Sequence, residues 1–182
     1  RHEQELEEQV KVRTAALAAR EEQLAKIYRA NPGGIAIIRQ SDSCYLEAND
    51  AYLAMVGYTR DQLIGHTSVE LGIVPMESRA RMRAAFQKQG YLYGQNVRLT
   101  NARGEPIDTY YSSDAIEYAG EPCYLALMVD ITEVRQLEET TYRLAAIVDS
   151  SSDAIVSTDM QGRVVGWNHS AELMYGSSAS HA

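Results

Sequence analysis

The chain contains two copies of one segment, and this repeat is the feature that most limits its fold. Residues 27–57 read IYRANPGGIAIIRQSDSCYLEANDAYLAMVG, and residues 147–176 read IVDSSSDAIVSTDMQGRVVGWNHSAELMYG. Equivalent positions are 120 residues apart at Ile35 and Ile155, and 119 apart after the turn that follows, at Asn49 and Asn168. Such a spacing is too long for a solenoid repeat and is typical of a small domain with a linker.

The length of the chain allows one complete domain and part of a second. Of the 182 residues, 45% are hydrophobic, which is enough for one ordinary core. The second copy begins 36 residues from the last residue, and a segment of that size is too short to enclose its own core. We predict an N-terminal helix, a complete domain, a linker helix and the start of a second domain, at residues 1–30, 31–132, 133–146 and 147–182.

Charge, hydropathy and cysteine content argue against a nucleic acid partner, membrane insertion and a disulfide scaffold. The net charge is −8, and residues 1–30 are neutral overall, so the acidic excess lies in the remainder. An acidic body repels phosphate backbones, and we expect no nucleic acid partner. No run of about 18 apolar residues occurs, and we expect no membrane insertion. Cys44 and Cys123 are too few for a disulfide scaffold, so we expect a soluble, cytoplasmic protein.

The first 30 residues predict one continuous helix, because they contain neither Gly nor Pro and are rich in helix formers. A heptad pattern within it predicts a parallel coiled coil that joins two copies of the chain. The predicted dimerisation residues are Leu6, Val10, Leu17, Leu24 and Ile27. Arg13 and Arg20 occupy two positions of the same seam and weaken it. The alternative is an amphipathic helix that folds back on its own domain.

The next hundred residues alternate between strands and short helices in an order typical of an α+β fold. Asn31-Pro32-Gly33-Gly34 ends the first helix, and turn-forming residues separate the later strands. The predicted strands lie at 35–39, 45–48, 91–100, 106–117 and 123–129, and the predicted helices lie at 49–56, 59–64 and 75–89. We predict a five-stranded antiparallel sheet with short helices on one face, flanked by N- and C-terminal signalling helices.

The last predicted strand ends at a junction with the next helix. Asp130 closes the sheet and is the predicted N-cap of that helix, with Glu133 three residues later. A second heptad pattern, formed by Val134, Leu137, Thr141, Leu144 and Val148, then continues toward the second copy. A change in the packing of the sheet could tilt or rotate this exit helix.

Residues 24–134 resemble the PAS sensor family. The shared features, all in PAS order, are the Asn31-Pro32-Gly33-Gly34-Ile35 segment, the Glu47-Ala48-Asn49-Asp50-Ala51 corner, Gly57-Tyr58-Thr59, Leu63-Ile64-Gly65, the Arg103-Gly104 hairpin and the closing Asp130-Ile131-Thr132. Residues 143–176 resemble the start of a second PAS domain. Residues 6–24 are similar to the linker after a HAMP domain, which implies either a free cytoplasmic protein or the cytoplasmic part of a membrane-anchored receptor.

The resemblance implies a sensory module of a bacterial signalling protein. Asp130, Ile131 and Thr132 would relay a change in a pocket or a dimer interface to the exit helix. We expect a histidine kinase as the neighbouring output domain, with a diguanylate cyclase or phosphodiesterase as the alternative. A further alternative is a ligand-free PAS domain that only dimerises.

The sequence offers no recognisable catalytic or metal-binding group. Its histidines, His2, His66, His169 and His181, are scattered and lack neighbouring ligands at metal spacing. Haem-binding PAS members use a histidine on the long helix, and photoactive flavin members use a cysteine in an Asn-Cys-Arg-Phe-Leu-Gln helix; neither occurs here. We expect no enzyme activity in this chain, no metal and no cofactor, and we leave open an unidentified small-molecule ligand.

Tyrosine content points to a pocket, since the chain has 12 tyrosines and one phenylalanine. A buried tyrosine hydroxyl needs a hydrogen-bond partner, so two or more inward tyrosines would give a polar cavity. The predicted lining residues are Tyr45, Tyr52, Met55, Phe86, Tyr110 and Leu125, and Tyr124 is a further candidate. The alternative is that most tyrosines are half-exposed strand residues.

Overall fold

Six helices and seven strands make up the described part of the chain. The computed structural model describes residues 2–176, with side chains from residue 7 onward. The helices are α1 (His2–Ala30), α2 (Asp50–Val56), α3 (Arg60–Leu63), α4 (Met76–Gln89), α5 (Thr132–Ser150) and α6 (His169–Tyr175). The strands are β1 (Gly34–Arg39), β2 (Tyr45–Ala48), β3 (Tyr91–Thr100), β4 (Pro106–Tyr118), β5 (Glu121–Asp130), β6 (Val156–Thr158) and β7 (Val164–Trp167). These elements form two units that divide between Thr132 and Glu133.

The first unit contains one antiparallel sheet in the order β2-β1-β5-β4-β3. Within this sheet β1 therefore lies beside β5, with Gly34 opposite Met128 and Ile37 opposite Leu125. Because the two strands are antiparallel, the residues that precede β1 and those that follow β5 meet at the same end of the sheet. The predicted α+β fold with a five-stranded antiparallel sheet is confirmed.

The ends of β4, β5 and α5 differ from the prediction. The hairpin between β4 and β5 needs only two turn residues, Ala119 and Gly120, whose φ angles are 52° and 78°. Both strands therefore extend to the turn, and Tyr118 pairs with Glu121. The exit helix α5 continues to Ser150 instead of ending near residue 146, so the second repeated segment begins inside a helix, as the first one does in α1.

The hydrophobic core lies between the inner face of the sheet and helices α2, α3 and α4. Its largest fully buried side chains include Tyr45, Tyr52, Val56, Leu63 and Ile73. Alternate residues of β4 point into this core, namely Ile107, Thr109, Tyr111 and Ser113. Half of these inward residues are polar, so the core must supply hydrogen-bond partners for them.

One buried amide connects the end of α1, the start of β1 and the start of α2. The Nδ2 atom of Asn49 donates to the carbonyl oxygens of Tyr28 (3.2 Å) and Gly33 (3.0 Å). Its Oδ1 atom accepts the backbone N–H groups of Ile35 (2.8 Å) and Tyr52 (3.0 Å). The second of these bonds is the N-cap of α2. Asn49 is only 1% exposed, so water cannot replace these bonds.

The second unit repeats this arrangement at the equivalent positions. The Nδ2 atom of Asn168 donates to the carbonyl oxygens of Val148 and Asp153, both at 2.9 Å. Its Oδ1 atom accepts from the backbone N–H groups of Ile155 (2.9 Å) and Ala171 (3.1 Å). Each of the four partners lies 119 or 120 residues after its counterpart, so the repeat in the sequence is also a repeat of one hydrogen-bond pattern.

The second unit contains little besides this corner. Its two strands pair antiparallel, with Val156 opposite Trp167. Large apolar side chains of its hairpin and short helix are exposed, including Val156, Val164, Val165, Leu173 and Met174. A two-stranded hairpin cannot cover such side chains by itself.

Replacing Asn49 by Ala should lower the free energy of unfolding by at least about 2 kcal/mol, because four buried backbone groups lose their partner at once. Chemical denaturation of the chain measures this loss. Asn96→Ala, which alters an exposed asparagine on β3, is the matched control and should change stability by less than about 0.5 kcal/mol. Equal effects of the two substitutions would show that the buried amide does not hold the corner together.

Candidate functional site

Two tyrosines on the inner side of the domain share a buried hydrogen bond. The hydroxyl oxygens of Tyr45 on β2 and Tyr52 on α2 are 2.6 Å apart, and the ring centroids are 5.7 Å apart. Burial raises the pKa of Tyr45 to about 12 and raises the pKa of Tyr52 well above its ordinary value. Both phenols therefore stay protonated at neutral pH and can donate hydrogen bonds.

A small internal cavity, half open to solvent, lies between α4 and the strands β3, β4 and β5, and neither tyrosine of the pair lines it. Its volume is about 10 Å³, roughly the space of one water molecule. Phe86 packs edge-on against Tyr124 with ring centroids 4.6 Å apart, and Arg79 lies 5.8 Å from the centre of the Tyr124 ring. The remaining lining residues are Met82, Arg83, Leu92, Tyr111 and Ser113. The cavity is thus nearly filled, but its wall carries charged and hydroxyl groups.

A larger open groove lies on the other side of Met82 and Leu92. Its volume is about 570 Å³, and it runs between α4 and β3. Polar residues such as Ser78, Gln95 and Asn96 line it together with the apolar side chains of Met82 and Leu92. Because Met82 and Leu92 line both spaces, they form the partition between the groove and the internal cavity.

A group of short hydrogen bonds joins β4 to the start of α5. The backbone N–H of Asp108 donates to Thr132 Oγ1 (2.9 Å), and its carbonyl oxygen accepts from the N–H of Ile131 (2.8 Å). Asp130 Oδ1 accepts from the N–H of Thr132 (2.9 Å). The Asp108 carboxylate also holds the Arg98 guanidinium on β3 with two bonds of 2.9 and 3.0 Å. The end of the sheet and the beginning of the helix are therefore fixed to each other at several atoms.

Comparison with protein families shows which family has this fold. A family model described as PAS domain matches residues 32–133, more than half of the chain, and one described as PAS fold matches residues 142–182. The chain belongs to the PAS domain family. It is a PAS sensor domain with the start of a second one. No curated protein matches the chain.

Solved PAS structures share the fold at low sequence identity. The PAS domain of an HTR-like protein from Haloarcula marismortui is 19% identical, with a TM-score of 0.53 over 66% of this chain and 99% of that one. A PAS domain from a two-component sensor histidine kinase is 15% identical, with a TM-score of 0.52 over 62% and 98%. An RNA-binding light-oxygen-voltage receptor is 16% identical, with a TM-score of 0.57 over 69% of this chain but only 37% of that receptor.

Neither a metal-binding cluster nor a helix able to cross a membrane occurs among the described residues. In that part of the PAS chain, no three His, Cys, Asp or Glu side chains lie close enough together to hold a metal ion. None of the helices there combines the length and the apolar composition that crossing a lipid bilayer requires.

Among the predicted lining residues, Phe86 lines the PAS cavity, as does the further candidate Tyr124. Tyr45 and Tyr52 are buried in the core without lining the cavity, and Met55 packs against that core. Tyr110 and Leu125 are 49% and 37% exposed on the opposite face of the sheet, so their prediction as lining residues is wrong. Their neighbours in the chain, Tyr111 and Tyr124, point inward instead.

The register of β4 and β5 explains this error. Tyr110 and Tyr111 are adjacent, so composition alone does not reveal which of them faces the core. On β5 the outward residues Leu125, Leu127 and Val129 are more apolar on average than the inward Tyr124, Ala126 and Met128. A rule that places apolar residues inside therefore selects the wrong face.

At the junction, the predicted role of Asp130 changes in detail. The helix begins at Thr132, so Asp130 lies two residues before it and accepts the N–H of the first helical residue, instead of acting as the N-cap itself. Glu133 is then the second helical residue and not the third. Asp108 and Arg79 could not be recognised from the sequence, because both make their contacts across elements that only the fold brings together.

The predicted dimerisation residues lie on an exposed helix. Val10, Leu17, Leu24 and Ile27 are each between 57% and 62% exposed. The side chain of Leu6 lies outside the described residues.

The tyrosine pair predicts an alkaline loss of stability. An unfolded tyrosine releases its proton near its ordinary pKa of 10.0, whereas folded Tyr45 keeps its proton until about pH 12. The folded state therefore binds more protons in this interval, so stability is complete below pH 10 and falls between pH 10 and about pH 12. Urea unfolding across this range should show the fall.

Substitutions of Tyr45 and Tyr52 test whether this pair causes the alkaline loss of stability. Tyr45→Phe should flatten the pH dependence and lower stability near neutral pH by about 1–3 kcal/mol, because the Tyr52 hydroxyl loses its partner. Tyr45→Phe with Tyr52→Phe should lose less than the sum of the single losses. Tyr142→Phe, at a 77% exposed site on α5, is the control. Additive losses would exclude a coupled pair.

Proposed function

We propose that this chain is the sensory part of a signalling protein in which a change at the internal cavity alters the exit helix α5. The junction at Asp108, Asp130 and Thr132 is the observation that carries this proposal. Strands β4 and β5 line the cavity through Tyr111, Ser113 and Tyr124, and the same two strands make the junction bonds. A shift of either strand would therefore reach the first turn of α5 through hydrogen bonds and not only through the covalent chain.

The proposed output domain is a histidine kinase. The likeness to a PAS domain from a two-component sensor histidine kinase supports this choice, although at 15% identity that likeness extends only to the fold. The nearly filled cavity favours one other function, a PAS domain that only dimerises and positions its neighbours. The two functions differ in whether substitutions at the junction change output.

We also propose that no haem or photoactive flavin is bound. His66 is exposed beside Glu70, away from the cavity wall. Cys44 lies in a bridge to Thr67, and neither cysteine lines the cavity. The cavity thus lacks the side chains that these two cofactors use in the family.

The junction supplies the test of the proposed function. Asp130→Ala should lower the free energy of unfolding by about 0.5–2 kcal/mol, because the first N–H of α5 loses its acceptor. In the full-length protein the same substitution should shift basal autokinase activity while the domain stays folded. Autophosphorylation and melting temperature, measured on the same preparations, check both expectations.

Two variants control this experiment. Asp130→Asn keeps a side-chain oxygen that can accept the bond and should keep output near wild type. Asp61→Ala removes an exposed carboxylate on α3 and should change neither quantity. If Asp130→Ala lowers the melting temperature and leaves output unaltered, the junction is structural and the scaffold function is favoured.

We propose that the chain dimerises through α1. The exposed apolar residues at heptad spacing support this proposal, since isolated helices rarely expose such a series without a partner. The outer face of the sheet, with exposed Leu125, Leu127 and Val129, is the competing surface.

Deleting residues 1–24 should convert the dimer to a monomer in sedimentation velocity at micromolar concentration. The double substitution Leu17→Asp and Leu24→Asp should do the same with the helix length kept, because charges in the seam repel across the interface. Glu21→Gln with Glu22→Gln is the exposed control. An unchanged dimer in both variants would assign the interface to the sheet or to the exit helix.

A further inference from the structure

Arg79 brings a positive charge to the internal cavity without an ionic partner. Its side chain lies on the inner side of α4, and its Nε atom is buried and makes no hydrogen bond. Among residues 7–176, whose side chains are described, no carboxylate forms an ion pair with it. The other arginines with buried or ordered contacts, such as Arg39 and Arg98, each hold a carboxylate. A guanidinium that is partly removed from water and lacks a counter-ion is an unfavourable arrangement unless an anion completes it.

Hydroxyl groups surround the same space. Tyr111, Ser113 and Tyr124 line the cavity together with Arg79 and Arg83. Arg83 is exposed, whereas the Nε atom of Arg79 is buried. The wall therefore combines two guanidinium groups with three hydroxyl groups, which is a set of donors for an anion.

We propose that this end of the cavity binds the carboxylate group of a small organic acid, with Arg79 as the residue that pairs with it. The proposal rests on the sensory function proposed above and names its ligand class. A carboxylate is planar, and its two oxygens match the two parallel N–H bonds of a guanidinium. A phosphate group can form the same pair of bonds, so inorganic phosphate serves as a comparison probe in the test.

The neighbouring groove provides room for the rest of such a molecule. Its volume of about 570 Å³ falls within the range of small-molecule sites, whereas the internal cavity alone does not. Met82 and Leu92 separate the two spaces. Met82 is unbranched and can change its rotamer at low cost, so the partition can open. The ligand would thus place its carboxylate inward and its apolar part in the groove.

A structural role of Arg79 is the competing explanation. The guanidinium lies 5.8 Å from the centre of the Tyr124 ring, a distance that allows a cation–π interaction. This contact alone would make Arg79 a stabilising residue of the unliganded domain. A binding role predicts the opposite, because an unpaired charge in a filled cavity disfavours the unliganded fold.

Thermal unfolding and calorimetric titration of the 182-residue chain distinguish these roles. Sodium propionate, hexanoate and benzoate are the probes, at constant ionic strength set with sodium chloride. At least one carboxylate should raise the melting temperature in a saturable way and bind with one site per chain. Arg79→Met should weaken that binding by at least about tenfold and leave the melting temperature of the unliganded chain equal or higher. Arg79→Lys keeps the charge and should bind with intermediate affinity.

Lys88→Gln is the matched control, because it removes one positive charge from the exposed end of the same helix. It should bind carboxylates as wild type does. The proposal is overturned if none of the probes binds, if Arg79→Met binds equally well, or if sodium chloride or sodium phosphate gives the same shift. If Arg79→Met does not fold, Arg79→Gln replaces it, and its affinity for the carboxylate is compared with that of the wild type in the same way. If Asp130→Ala changes output but no carboxylate binds the chain, the proposed sensory function stands and only the proposed ligand class is wrong.

Discussion

The buried side chain of Asn49 is the interaction on which the geometry of the PAS domain depends. Its single amide satisfies the last turn of α1, the bend before β1, the start of β1 and the first turn of α2. Each of these backbone groups would otherwise be buried without a partner, at a cost of about 1–3 kcal/mol apiece. The direction in which the N-terminal helix leaves the sheet is therefore set inside the core and not by surface contacts.

The repetition of this corner at Asn168 means that hydrogen bonds hold both ends of α5. Its first residue, Thr132, takes part in the junction with β4, and its carbonyl at Val148 is bound by the amide of the second copy. Val148 corresponds to Tyr28 near the end of α1. Under the proposed function, a change at the Asp108 junction would therefore enter the same helix that the amide of Asn168 holds at its other end.

The sequence predicted the fold well because its main signals are local. Turn residues, caps such as Asn49 and the capping box at Thr59 mark the ends of elements through short-range hydrogen bonds. The cavity depends instead on which face of each strand is inward, and this property is set by long-range pairing. Tyr110 and Leu125 were therefore misassigned although their strands were correct, and Arg79 could not be recognised because its surroundings come from four separate elements.

A nearly filled cavity must rearrange its packing before it can hold the proposed ligand. A ligand shifts a conformational equilibrium only as far as it binds one state more tightly than the other. An acid that enters beside Arg79 must displace Met82 or its neighbours, so it binds the rearranged packing and not the closed one. Arg79 lies on α4, whereas Tyr111 and Ser113 lie on β4, the strand that carries the Asp108 junction. An anion held between them would connect helix and sheet, and β4, which bonds to the start of the exit helix through Asp108, would respond to its presence.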